Sequence, residues 1–157
     1  MNLFVLNLLL ALGFSAVIAR FNLEGLLIGM VVGYVALWIT QPLYPPSGYF
    51  TKVWCWIRLV VFFIKELVVS STLVLREVVR ITPASRPGII AVPLDVTSDL
   101  GITLVANLIS LTPGTLSLEV SADRHQLFVH VMFLEDPDAE IRNIKDGMEK
   151  RVMEALQ

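Results

Sequence analysis
The residues able to do chemistry are few and scattered. The histidines are His125 and His130, and the one cysteine is Cys55. A structural metal site draws about four ligands from Cys, His, Asp and Glu at short spacings. Neither histidine has a cysteine or a paired carboxylate at such a spacing. The sequence therefore argues against a metal site and implies no cofactor. A lone cysteine excludes an internal disulfide, so Cys55 reads as packing. The hydroxyls near Thr112 stand beside no base, and Pro113-Gly114 is a turn, not a glycine-rich phosphate cradle. No catalytic residue emerges. Net charge is −2, so bulk electrostatics implies no nucleic-acid partner. Moving H+ or Na+ through a membrane core needs ionisable groups there. Neither apolar run at the start of the chain contains Asp, Glu, Lys, Arg or His. On this reading the chain by itself carries no ions.

The elements that position these residues divide the sequence unevenly. The chain has 157 residues, 55% of them hydrophobic. Its mean hydropathy is +0.73, and most of the apolar excess precedes Arg76. Asn2 to Ala19 and Gly25 to Thr40 are uncharged apolar runs joined by Arg20-Phe21-Asn22-Leu23-Glu24. They predict a transmembrane helical hairpin over residues 1–40, each run slightly short of the ~20 residues a span needs. Cleavage of the first run as a signal peptide is the rival, but no basic residue precedes it. Gly25, Gly29 and Gly33 form a small-residue stripe that lets another helix approach closely in lipid. Asn7, the one strongly polar side chain within the first run beyond its leading Asn2, is expected to bond a neighbouring helix. Residues 41–48, with Pro42, Pro45 and Pro46, form a linker. Trp38, Tyr44, Tyr49, Trp54 and Trp56 gather around it, as aromatics do at a membrane boundary.

Residues 49–80 contain neither Gly nor Pro and read as one long helix. Lys52, Arg58, Lys65, Glu66, Arg76, Glu77 and Arg80 share an arc of roughly 140° at 100° per residue. Val53, Trp56, Ile57, Val60, Val61, Ile64, Leu67, Val68, Val74, Leu75, Val78 and Val79 lie opposite. The pattern suits an interfacial or tilted helix, with Lys52, Arg58, Lys65, Arg76 and Arg80 at the lipid headgroups. A third transmembrane helix is the alternative. The basic residues after Pro46 place the later part in the cytoplasm. Two spans then put the N-terminus in the cytoplasm, and three put it outside.

Residues 81–157 change character. After a second Pro-containing linker, Ile81 to Gly88, Ile89 to Leu94 is a short β-run. Thr97 or Ser98 caps a helix whose face carries Leu100, Leu104, Val105, Leu108 and Leu111. Thr115 to Ser121 alternates, with Leu116, Leu118 and Val120 on one side. Asp123 to His125 turns the chain into a strand, Gln126 to Leu134, with Leu127, Val129, Val131 and Phe133 inward. Asp136 caps and Pro137 opens a last helix with the stripe Ile141, Ile144, Met148 and Val152. The whole is a membrane α-helical hairpin plus amphipathic helix, followed by a small α+β (βαββα) cytoplasmic domain.

Within this domain, Leu111-Thr112-Pro113-Gly114-Thr115-Leu116, then Ser117 to Val120 and Phe128-Val129-His130, form a fairly specific signature. With the membrane part before it, the chain resembles the E subunit of the multisubunit cation/proton antiporters called Mrp, Mnh or Pha. The resemblance implies an accessory subunit of a complex in the bacterial inner membrane exchanging Na+ for H+. Its partners would be membrane lipid and the other subunits, of A, B, C, D, F and G type. The large A and D subunits of that family carry the ionisable membrane residues, and E neighbours F and G. Physically, Thr112-Pro113-Gly114-Thr115 is a structural corner, with contact to a partner subunit as the functional alternative. A membrane-anchored cytoplasmic binding or regulatory module is the competing function. No polar cluster in the sequence suggests its pocket.

Overall fold
The computed structural model describes residues 2–43, 45, 47–81 and 85–156. Tyr44 and Pro46 of the first linker and Thr82 to Ala84 of the second lie outside this range. The chain forms two compact units, residues 1–51 and 52–157.

The first unit is a helical hairpin. Helix α1 spans Leu3–Val17, and Asn2 caps it by accepting from the Phe4 N–H. Ala19 takes a left-handed conformation, φ 53°, which lets the Arg20 N–H reach the Ser15 carbonyl and end the helix. Asn22 then caps α2, Leu23–Ile39, accepting from the Gly25 N–H at 2.8 Å. Each helix buries one residue in four: Leu3, Asn7, Ala11 and Ser15 in α1, and Gly25, Gly29, Gly33 and Leu37 in α2. The two ridges face each other, and the other sides are apolar and largely exposed. Among the described residues no helix is long and apolar enough to cross a membrane. With 15 and 17 residues, α1 and α2 are about 22 and 25 Å long, against ~30 Å of hydrocarbon. The hairpin exists as a fold, with both helices shorter than that thickness.

Helix α3, Tyr49–Val79, starts in the first unit and continues into the second. The second unit also holds strand β1, Gly88–Pro93, helix α4, Asp99–Leu111, and strands β2, Thr115–Val120, and β3, Gln126–Val131. It ends in a helical stretch: α5, Pro137–Ile144, a π-helical turn, Lys145–Glu149, and α6, Lys150–Leu156. The sheet is antiparallel, in the order β1-β3-β2. In register, Ile90, Val129 and Ser117 face the core together, as do Val92, Leu127 and Val120. Ile102, Val105 and Ile109 of α4 and Ile144, Met148 and Val152 of the last helices close that core.

Two expected faces differ. On β2 the alternation does not place Leu116, Leu118 and Val120 together. Leu116 and Leu118 are each 49% exposed, and Ser117 points inward, its hydroxyl donating to the Ala106 carbonyl. The pairing shifts register between Ser117 and Glu119, and this bulge returns Val120 to the core. On α4 the core face is Ile102, Val105 and Ile109, while Leu100 and Leu111 are exposed. Ser98, rather than Thr97, is its cap.

Candidate functional site
The glycine stripe of α2 is occupied within the chain. A Cβ on Gly29 would stand 2.7 Å from the Ala11 carbonyl oxygen and 2.9 Å from its Cα. One on Gly33 would run into the Asn7 amide oxygen, and one on Gly25 into the Arg20 carbonyl. The helix that approaches Gly29 and Gly33 is α1, while Gly25 is closed over by the turn at Arg20 and Asn22. Asn7 lies in the Gly33 notch, and its Nδ2 donates to the Tyr49 hydroxyl at 2.8 Å. Tyr49 stacks with Tyr34 and Phe50, so the first turn of α3 rests on the hairpin. Asn7 Oδ1 and Ser15 Oγ are buried and have no hydrogen-bond partner among the described residues.

The Thr112-Pro113-Gly114-Thr115 corner closes α4. The Thr112 hydroxyl donates to the Leu108 carbonyl, and the Thr115 hydroxyl donates to those of Ile109 and Thr112. These are the carbonyls a helix end leaves unpaired. Gly114 sits at φ 91°, a conformation costly with a side chain. Its carbonyl accepts from the Met132 N–H, tying the corner to the end of β3. Leu111 and Leu116 flank the corner and are exposed.

The charged arc expected on α3 is divided. Lys52, Arg58, Lys65, Arg76 and Arg80 are exposed, but Glu66 and Glu77 turn inward with Cys55, Leu59, Phe62, Ser70 and Val74. Leu59 is in the core of the second unit, and Arg151 stacks on Phe62 at 3.9 Å. Arg58 pairs loosely with Glu154, at 3.8 Å. Arg76 and Arg80 line a cleft of about 480 Å³ with Leu73, Glu77, Phe133, Glu135, Asp136, Ala139 and Glu140. Nothing in the residue pattern signals this cleft, because its walls lie some fifty residues apart in the chain.

A second feature missed from sequence is a buried carboxylate. Glu149 is fully buried and accepts from the Asp95 N–H at 2.6 Å and the Val96 N–H at 3.0 Å. Lys145 bridges it at 3.2 Å to Asp95 at 2.8 Å, and also donates to the Pro93 carbonyl. Burial by itself would lower the Lys145 pKa. The hydrogen bonds and charges of Asp95 and Glu149 outweigh that and hold it above the ordinary 10.5. The π-helical turn sets this clamp, which fixes the segment between β1 and α4. The i, i+4 pair Lys145–Glu149 beside the apolar stripe was its only sequence signal. His125 lies exposed in the β2–β3 turn, and His130 stands on β3 between Ile89 and Leu116. Among the described residues no three His, Cys, Asp or Glu side chains are grouped to hold a metal.

A tightly packed helical hairpin followed by a small α+β unit with a three-stranded antiparallel sheet is the class these features define. The family described as Na+/H+ ion antiporter subunit matches residues 7–155, and the chain belongs to it. It is 33% identical over 153 residues to the E subunit of the Na(+)/H(+) antiporter of Alkalihalophilus pseudofirmus, covering 98% of this chain and 97% of that one. Among solved structures it is similar to a chain of the Mrp complex from Dietzia sp. DQ12-45-1b, with 27% identity and a TM-score of 0.51. That match covers 62% of this chain and 92% of the other. A chain of the archaeal membrane-bound sulfane sulfur reductase shares the fold over 96% of both chains, with 22% identity and a TM-score of 0.57.

Proposed function
We propose that the chain is an accessory subunit of a multisubunit Na+/H+ antiporter, needed for assembly and activity and carrying no ion itself. Its partners are subunits of A, B, C, D, F and G type and membrane lipid. The hairpin sits in the bacterial inner membrane, where a locally thin bilayer accommodates its short helices, and the α+β unit is cytoplasmic. One observation carries this reading. The hairpin's buried seam is made of glycine, alanine, leucine and serine with a single Asn, and holds no ionisable side chain. Family membership supplies the complex. In proteoliposomes the chain alone should show no Na+-driven proton movement, while its removal from the complex should cripple exchange. Robust exchange by the isolated chain would contradict the proposal.

The cleft beside Arg76 favours a second reading, a membrane-anchored binding or regulatory module. Replacing the hairpin with an unrelated membrane anchor separates the two. Loss of complex assembly supports the subunit, and full activity supports the module.

A further inference from the structure
We propose that α3 lies along the membrane surface with its exposed apolar arc in lipid, and nowhere crosses the bilayer. The inference rests on the reading of the hairpin as membrane-embedded, and it decides between two and three spans.

The covered side of α3 is what forbids a crossing. Cys55, Leu59 and Phe62 pack into the core of the α+β unit. A Cβ on Gly147 would come within 3.0 Å of Phe62. Glu66 and Ser70 line a small cavity with Ile109, Thr112 and Thr115, and Val74 lies beside Gly114. Glu77 accepts from the Ser85 N–H at 2.7 Å. The α+β unit thus follows α3 from Cys55 to Glu77, about 33 Å at 1.5 Å per residue. That is at least the ~30 Å thickness of the hydrocarbon. A spanning α3 would drag a sheet and its charged loops into lipid, where irregular backbone has no partner.

The opposite side says what covers it. Trp54, Ile57, Val61, Ile64, Val68, Leu75 and Val79 are exposed along one arc. That arc carries no charge, and both acids of the helix are turned away from it. Thr72, at its edge, already donates to the Val69 carbonyl at 2.6 Å. Arg58 and Lys65 flank it, where their heads can reach anionic headgroups. Protein-binding faces centre on aromatic and arginine anchors; here Val, Ile and Leu form the centre, with Trp at the N-terminal end. Tyr49, at the start of α3, accepts from Asn7 of the hairpin. With the hairpin alone crossing, the N-terminus and the α+β unit share one side.

The test uses the full chain in nanodiscs of phosphatidylcholine and phosphatidylglycerol. In a Cys55→Ser background, nitroxides are placed singly by Val61→Cys, Val68→Cys and Leu75→Cys. Their depth is read from collision with oxygen and with a nickel chelate. Three equal, shallow depths are expected. A graded depth spanning roughly 20 Å, the rise over fourteen residues, would mean a crossing helix and overturn the proposal. Nickel-accessible labels, or labels immobilised against protein, would overturn it too. Labels at Leu8→Cys and Val31→Cys, on exposed hairpin positions, test the underlying reading separately. If they prove water-accessible, the membrane hairpin itself is wrong.

Discussion
The hairpin and the α+β unit are held together by opposite means. In the hairpin, glycines let two backbones touch, and apart from Leu3 and Leu37 the buried side chains are no larger than Asn7. In the α+β unit, the core is mainly Val, Ile and Leu from α3, β1, α4, β3, α5 and α6, and a fully buried Glu149 is fastened within it. Expulsion of water drives packing of the second kind. Close fit alone can drive the first in lipid. The difference predicts that the two units fail in different ways when altered.

The largest effect should come from Glu149→Ala. It strands the Asp95 and Val96 N–H groups in a buried site and takes from Lys145 one of its three partners, leaving Asp95 and the Pro93 carbonyl; each buried donor left unpaired costs about 1–3 kcal/mol. Glu149→Gln keeps an acceptor and should cost less. Denaturant unfolding of the α+β unit, followed by near-ultraviolet circular dichroism, would show both losses.

Gly29→Leu should be next, because its Cβ meets α1 backbone, which cannot rotate away. Overpacking of this kind costs about 1–3 kcal/mol. It should appear as lost intact protein or complex on a blue-native gel. Ile28→Leu, exposed on another side of α2, should be tolerated. Equal yields from the two variants would dissolve the contrast between the units.

The clamp also sets a pH dependence. Lys145 has a raised folded-state pKa, so its contribution is complete below the unfolded value. It is lost as pH rises through the folded value, above 10.5. Lys145→Met should flatten the alkaline limb of a stability–pH profile there and leave the neutral-to-mildly-alkaline slope unchanged. The smallest effect, of opposite sign, is expected at Ala19, whose φ of 53° suits glycine. Ala19→Gly should stabilise the hairpin by about 1 kcal/mol or less, visible as a higher melting temperature.

The order of elements was legible because strong periodicity and punctuation agree. Ser98 and Asp136 cap helices, Pro137 opens one, and Gly114 takes the left-handed corner. The faces were less legible. A bulge at Ser117–Glu119 reverses part of β2, and nothing in the alternation of Leu116, Leu118 and Val120 signals it. On α3, charge alone groups Glu66 and Glu77 with the cations, whereas burial against the α+β unit divides them. The glycine stripe was visible, but α1 and the turn after it fill it from within the same chain, and spacing does not name a partner. The cleft needs residues brought together only by the fold.

The most direct test of the proposed place in the complex is purification of the intact assembly through a tag on this chain, with its composition read by native mass spectrometry. The account predicts a stoichiometric assembly with the other antiporter subunits. A chain that purifies alone, from cells whose remaining subunits form a complete and fully active antiporter without it, would contradict it.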